Sequence, residues 1–194
     1  MNDYAAAAAG LRAGRIVGVP TDTVYGIAAH PELGTAVAQL FVLKGRLPTK
    51  PIGVLVGSLV EAENLGLFTP AARRLAARYW PGPLTLVVRA LVSLPEWVGD
   101  PLTSTVGIRV PHHPVTQALL EVNGPIAVTS ANRSGHLPAL DHVAAETEFG
   151  NRVAIYLEGR CPGGISSTVV DATGALPAVL RPGPLVLDDA DLAS

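Results

Sequence analysis

The sequence predicts an α/β fold: one twisted, open sheet of mixed parallel and antiparallel strands flanked by helices. Three observations predict it. Short apolar runs of strand length are interspersed with amphipathic runs of helix length, without the strict alternation that an all-parallel sheet imposes. The 20 glycines and 17 prolines fall between these runs, as turn punctuation. A chain of 194 residues, 48% of them hydrophobic, can remove about 70% of its unfolded surface from water, enough for one core without a disulfide or metal staple. Residues 1–194 are therefore expected to form a single domain.

Taken in order, Tyr4–Ala13 reads as a helix and Arg15–Val19 as a buried strand stopped by Pro20. Glu32–Lys44 is a second helix, with Leu33, Ala36, Val37, Leu40 and Phe41 on one face. Ile52–Val56 is apolar throughout, as a central strand is. Ser58 with Glu61 forms a capping box for a short helix ending at Asn64. Thr69-Pro70 supplies an N-cap and a proline at the first helical position, ahead of a helix over Ala71–Tyr79. Strands follow at Leu84–Arg89, Val106–Val110, Ile126–Thr129, Val153–Leu157 and Thr168–Asp171, interrupted by helices at Val115–Val122 and Asp141–Phe149.

Composition excludes several classes of function. The formal net charge is −2, so no basic excess marks the whole chain as a nucleic-acid binder. The longest apolar run, Pro51–Val60, is half the length a membrane span requires, and the N-terminus has no basic segment that would open a secretory signal. Cys161 is the single cysteine, which removes disulfide frameworks and multi-cysteine zinc sites and fits a reducing cytoplasm. The P-loop, dinucleotide, zincin and nucleophile-elbow motifs are all absent. His112-His113, on an extended segment between prolines, points its two rings in opposite directions and makes a poor metal pair.

What remains is a set of five polar segments at strand ends, where an open sheet places its ligands. The first is Pro20-Thr21-Asp22-Thr23-Val24-Tyr25-Gly26, either a hydroxyl-rich strand exit or a turn whose Asp22 or Thr23 caps a helix. The second, Lys44 to Pro51, holds Lys44, Arg46 and Lys50, including both lysines of a chain with 12 arginines. A solvated helix end accounts for Lys44, but three cations so close repel one another unless an anion joins them, and a polyphosphate would do so. In the third, Thr103 to Pro111, Arg109 sits in an apolar strand on the face of Thr105 and Gly107, and its anionic partner is a structural carboxylate or a ligand. The fourth, Val128 to Gly135, carries Ser130 and Asn132 and is either an anion-binding nest or a hydrophilic loop. The fifth pairs Gly163 to Asp171, with Ser167, and Leu180-Arg181-Pro182-Gly183. Arg46, Arg109 and Arg181, converging with the two lysines on one cleft, would suit a triphosphate and a carboxylate.

The segments PTDTVYGIAAH, KGRLPTKPIGVLV, YWPGPLTLVV, TVGIRVP, TSANRSG, SSTVVDAT and LRPG, in this order over about residues 15 to 185, resemble the L-threonylcarbamoyladenylate synthase family, built on the YrdC-like domain. The resemblance implies a YrdC-like α/β fold with a concave, cationic cleft. It also implies a reaction in which L-threonine, bicarbonate and ATP give L-threonylcarbamoyladenylate and pyrophosphate. A downstream transferase complex then passes the threonylcarbamoyl group to a tRNA adenosine beside the anticodon. By motif match, Thr23 and Ser167 hold threonine and Arg109 grips its carboxylate. Lys44, Arg46, Lys50 and Arg181 face the phosphates, with Lys44 and Arg46 catalytic, and Thr105, Ser130 and Asn132 meet the nucleotide or carbamate. Mg²⁺ is expected with ATP, held mainly by phosphate oxygens, with Asp22 the nearest acidic candidate for a water-mediated contact.

The sequence departs from the family pattern in two places. Leu55 stands where some members carry a threonine-binding His, so threonine contacts are fewer or come from a neighbour such as Tyr25. The chain also resembles the short, single-domain form. Two other functions fit the same fold: an RNA-binding module without catalysis, with at most weak tRNA contact given aromatics of only 5%, and an enzyme that carbamoylates and adenylates a different acceptor.

Overall fold

The computed structural model describes residues 2–45, 51–91, 95 and 97–193. Its helices are α1 (Tyr4–Arg12), α2 (Gly34–Lys44), α3 (Leu59–Glu63), α4 (Pro70–Tyr79), α5 (Pro114–Asn123), α6 (His142–Phe149) and α7 (Asp189–Leu192). Its strands are β1 (Val17–Val19), β2 (Gly26–Ala29), β3 (Gly53–Leu55), β4 (Gly66–Leu67), β5 (Leu84–Ala90), β6 (Thr105–Arg109), β7 (Ile126–Ser130), β8 (Ile155–Tyr156), β9 (Thr168–Asp171) and β10 (Ala178–Arg181).

Local chemistry sets the helix ends. Asp3 accepts from the Ala6 N–H at the start of α1, and Thr69 accepts from the Ala72 N–H with Pro70 at the first position of α4. At α3 the Ser58 hydroxyl accepts from the Glu61 N–H, while the Glu61 carboxylate reaches past Ser58 to the Gly57 N–H, so the expected capping box closes one residue early. His113 caps α5 through Nδ1, ahead of Pro114, which gives that histidine a structural role.

The strands form one mixed sheet in the order β10-β9-β5-β6-β3-β7-β2-β1-β8, with β4 also pairing β5. The pairs β1–β8, β3–β6 and β5–β9 are parallel and the others antiparallel. As its unbroken apolar run predicts, β3 lies in the middle. Two strands, β2 and β4, are not announced by the sequence, while β10 ends at Arg181 as the strand end expected there does. β2 is four small residues, Gly-Ile-Ala-Ala, following a segment dense in hydroxyls. β4 has two residues, and β10 is an edge strand exposed along its whole length.

The two-residue period divides the sheet into two faces. On one, Ile27, Val54, Leu84, Leu86, Val88, Val106, Ile108, Ala127 and Val170 join the main core with Val37 and Leu40 of α2, Leu75 of α4 and Phe149 of α6. On the other, Val17, Val19, Ala28, Leu55 and Ile126 are covered by Ala7, Ala8 and Leu11 of α1 and by Leu119 and Leu120 of α5. This cover stops at β3. Beyond it, the second face of β6, β5 and β9 faces a cleft.

The chain after β10 returns to α4. Asp191, buried in α7, accepts from Arg78 Nη1 and from the Tyr79 hydroxyl, both at 2.6 Å. This tie holds the segment that follows Arg181 against the body of the protein.

The two faces of β5 make unequal demands on stability. Leu86→Ala, on the core face, is expected to lower unfolding free energy by about 2–5 kcal/mol. Val87→Ala, on the cleft face, is expected to cost under about 1 kcal/mol. Urea denaturation followed by far-UV circular dichroism measures both.

Candidate active site

The cleft has a volume of about 740 Å³ and is lined by the cleft faces of β3, β5, β6, β7 and β9 together with the segments around Thr23, Asp100, Ser166 and Arg181. Strand register orders its floor. Leu55 stands opposite Arg109, and continuing the β5–β6 pairing puts Thr85 beside Arg109 at one end. Arg89 pairs with Thr105 at the other. Between them the floor is Val87 and the bare backbone of two glycines: a Cβ on Gly53 would lie 3.0 Å from the Gly107 carbonyl oxygen.

The first end is built around Arg109, which is 6% exposed. Its Nε donates to the Gly82 carbonyl at 2.9 Å, Nη1 to the Thr23 hydroxyl at 2.8 Å and Nη2 to Asp22 Oδ1 at 2.5 Å. A guanidinium has five N–H donors, so two remain for a ligand. Desolvation pushes the Arg109 pKa down, opposed by the charge of Asp22. Asp22 Oδ1 also accepts from the His112 N–H, while Oδ2, buried, has no hydrogen-bond partner among the described residues.

The turn that presents Asp22 and Thr23 is organised by Thr21. Its hydroxyl donates to the Val24 carbonyl and accepts from the Thr23 and Val24 N–H groups. Its own N–H donates to Cys161 Sγ at 3.2 Å. Burial pushes the Cys161 thiol pKa up to about 11.

On the opposite wall the Ser167 hydroxyl lies 2.8 Å from the Thr85 hydroxyl. Arg181 donates to the Ser167 carbonyl from Nε and Nη2, and to its hydroxyl from Nη2 at 3.3 Å. Desolvation lowers the Arg181 pKa. Gly183 allows this approach, because a Cβ there would fall 2.4 Å from the Thr168 nitrogen.

The other end carries Thr105, whose hydroxyl lies 2.8 Å from that of Thr103, and Ser130. Behind Ser130, the buried Lys44 donates from Nζ to the Ser130 carbonyl at 2.9 Å, the Ser130 hydroxyl at 3.1 Å and Asn132 Oδ1 at 2.8 Å. The Ser130 hydroxyl donates in turn to Asn132 Oδ1, and Asn132 Nδ2 holds the Arg133 and His136 carbonyls. The result is one connected cationic network at the C-terminus of α2.

Comparison with known proteins places this cleft. The Sua5/YciO/YrdC family pattern, described as telomere recombination, matches residues 9–183. The chain belongs to that family. A Mycobacterium tuberculosis protein provisionally named a threonylcarbamoyl-AMP synthase is 48% identical over 177 residues, 90% of this chain and 81% of that protein. The threonylcarbamoyl-AMP synthase of Pyrococcus abyssi is 39% identical over 186 residues, 94% of this chain. The crystal structure of P. abyssi Sua5 complexed with L-threonine superposes with a TM-score of 0.88 at 36% identity, over 94% of this chain and 54% of that one. Escherichia coli YciO superposes with a TM-score of 0.88 at 25% identity, over 97% of this chain and 92% of that one. This chain therefore spans about half the length of the Pyrococcus protein and most of the length of the mycobacterial protein and YciO.

Within this family fold, Thr23, Arg109, Ser167 and Arg181 come together at one end of the cleft, and Thr105 and Ser130 line the other, backed by Lys44 and Asn132. Arg46 and Lys50 lie outside the described residues. Several expectations are corrected. Pro20 to Gly26 caps no helix: it connects β1 to the antiparallel β2. Lys44 is 4% exposed and hydrogen-bonded, unlike the solvated helix end considered from sequence. In the segment after β7 the N–H groups of Ala131, Asn132, Ser134 and His136 donate to carbonyls within the protein and are not available to an anion. Tyr25 does not substitute for the missing histidine: it is fully buried and its hydroxyl donates to the Leu157 carbonyl. Of the two partners open to Arg109, a structural carboxylate is present, Asp22, whose second oxygen has no partner among the described residues.

Thr85 and Arg89 line the cleft without having been singled out in the sequence. The signal was the alternation of Leu84, Leu86 and Val88, which turns the intervening residues to the opposite face.

With its pKa raised to about 11, the Cys161 thiol stays protonated at pH 8. Alkylation by iodoacetamide at that pH is expected to be slow in the native protein and fast in denaturant, measured by mass spectrometry.

Proposed function

We propose that this chain is a threonylcarbamoyl-AMP synthase that condenses L-threonine, bicarbonate and ATP to L-threonylcarbamoyladenylate and pyrophosphate. The observation that carries this reading is Arg109: a buried guanidinium fixed by Gly82, Thr23 and Asp22, with two donors left, beside the Thr85–Ser167–Arg181 wall of an open cleft. Such a fork suits an amino-acid carboxylate, and the nearby hydroxyls suit the rest of a small polar substrate. Family membership and the synthase relatives support the same reading.

In the first step the neutral threonine amine attacks bicarbonate, giving a carbamate and water. A carbamate oxygen then attacks the α-phosphorus, the bond to the β-phosphate oxygen breaks, and pyrophosphate leaves. No protein nucleophile is needed, so catalysis rests on positioning and charge. Arg109 orients the carboxylate, with Thr23 and Ser167 beside it. Arg181, held against Ser167, lies where it can meet the carbamate or α-phosphate. Lys44 with Arg46 and Lys50 supplies cationic charge to the phosphates, and Ser130, Asn132 and Thr105 position the nucleotide.

Mg²⁺ enters with ATP as part of the substrate. Asp100 and Asp171 line the cleft and already accept backbone N–H groups, and the described residues contain no cluster of three or more metal-ligating side chains. That sparse donor set fits an ion held mainly by phosphate and water oxygens. The product would pass to a transferase complex that modifies tRNA, with at most weak RNA contact by this chain. No described helix is long and apolar enough to cross a membrane, and ATP-dependent tRNA chemistry beside an unpaired buried thiol suits the cytoplasm.

A second reading, a different amino-acid acceptor, is favoured by Leu55, which brings a buried apolar side chain to the cleft opposite Arg109. Pyrophosphate release from ATP and bicarbonate separates the two: threonine should stimulate it more than serine or no amino acid. Lack of threonine stimulation excludes the threonine assignment. Arg109→Lys keeps the charge and loses the fork, so the KM for threonine should rise about tenfold or more while that for ATP changes little. An equal rise for both substrates in a folded variant would contradict the role given to Arg109.

A further inference from the structure

We propose that Arg89 is a further substrate-binding residue, which receives the pyrophosphate portion of ATP at the end of the cleft away from Arg109. The proposal rests on the synthase reading above and assigns a role to a residue outside the motif-matched set.

Three arginines line the cleft among the described residues. Arg109 is held by Asp22, Thr23 and Gly82, and Arg181 by Ser167. Arg89 has no hydrogen-bond or ion-pair partner among the described residues, although Asp100 and Asp171 line the same region. Both carboxylates are engaged elsewhere: Asp100 accepts from the Leu102 N–H, and Asp171 from the Thr173 N–H and hydroxyl. Among the described residues nothing engages the five N–H donors of this guanidinium, and a ligand in the cleft can take them.

Strand register gives the distance. Arg89 is opposite Thr105, four residues along β6 from Arg109, or about 13 Å at the rise of an extended strand. In-line displacement fixes the order of groups along that length. The carbamate oxygen approaches the α-phosphorus from the threonine side, and the leaving oxygen departs on the opposite side. With the carboxylate on Arg109, the carbamate, α-phosphate and pyrophosphate follow in turn, each contact about 3 Å long. The leaving group therefore points away from Arg109, toward Thr105 and Arg89. When the bond from phosphorus to the bridging oxygen breaks, the electron pair stays on pyrophosphate, and the guanidinium offsets the charge that develops there. Lys44, behind Ser130 at the same end, approaches from the opposite wall.

Calorimetric titration of ATP, pyrophosphate, AMP and L-threonine into the full chain, Arg89→Ala and Arg89→Lys tests the assignment. Arg89 is exposed on the cleft face, outside the core, and circular dichroism checks that the variants fold. In Arg89→Ala, binding of ATP and pyrophosphate should weaken about tenfold, with AMP and threonine changed less than about twofold; Arg89→Lys should fall between, as loss of the fork with charge retained requires. Unchanged pyrophosphate binding overturns the proposal, as does an equal loss for AMP, which would move Arg89 to the nucleoside. If the unsubstituted chain binds ATP and these variants do not differ from it, the Arg89 assignment alone fails. If the unsubstituted chain binds neither ATP nor pyrophosphate, the synthase reading fails and the Arg89 assignment with it.

Discussion

The site depends on one buried ion pair. Arg109 and Asp22 bring opposite charges together where their side chains are 7% and 13% exposed, and neither would be tolerated there alone. Removing one partner of such a pair leaves an uncompensated charge and typically costs about 3–5 kcal/mol. The pair fastens β6, in the middle of the sheet, to the turn between β1 and β2, while the Arg109 Nε bond to Gly82 secures the segment ahead of β5. Three pieces of backbone distant in sequence are thus fixed around one guanidinium. The same contacts decide which of its donors stay open toward the cleft, so stability and the chemistry of the cleft share a set of hydrogen bonds.

The second constraint is the incomplete cover of the sheet. Helices α2, α4 and α6 bury one face, and α1 with α5 bury only part of the other. On the uncovered part, side chains are not required for packing, so the same strands that build the core with one set of residues can present hydroxyls, guanidinium groups and bare glycine backbone with the alternate set. The cleft is a product of strand periodicity combined with the limited reach of two helices. A mixed strand order helps, because it brings β5, β6 and β9, which are far apart in the chain, side by side on this surface.

Much of this was legible in the sequence, for physical reasons. Helices with a polar N-cap and a proline behind it, such as α4, have local determinants, and all-apolar β3 could only be central. Strand β2 has no such signal, because its Gly-Ile-Ala-Ala run follows a polar segment and carries one large apolar residue, and β10, exposed along the sheet edge, shows in the sequence only as a strand end at Arg181. At the site, Arg109, Thr23, Ser167 and Arg181 stood out as polar residues among apolar neighbours. Their mutual contacts did not, since the Arg109–Asp22 pair spans 87 positions and Arg181 reaches Ser167 only through the close approach of Gly183. Tyr25 shows the opposite failure: adjacent in sequence to the site turn, it points into the core because it lies two residues before Ile27 and shares that residue's face.

The glycine floor of the cleft has a consequence for how the protein tolerates change. Gly53 and Gly107 lie on central strands, where glycine is a poor choice for sheet formation, and a Cβ at Gly107 would come within 3.3 Å of the Thr85 methyl. A larger residue at Gly107 would improve local strand propensity while filling part of the cleft, whereas one at Gly53 would press on the Gly107 carbonyl oxygen at 3.0 Å. Selection for a sturdier sheet and selection for an open cleft therefore pull Gly107 in opposite directions, while at Gly53 the neighbouring strand itself keeps the position small.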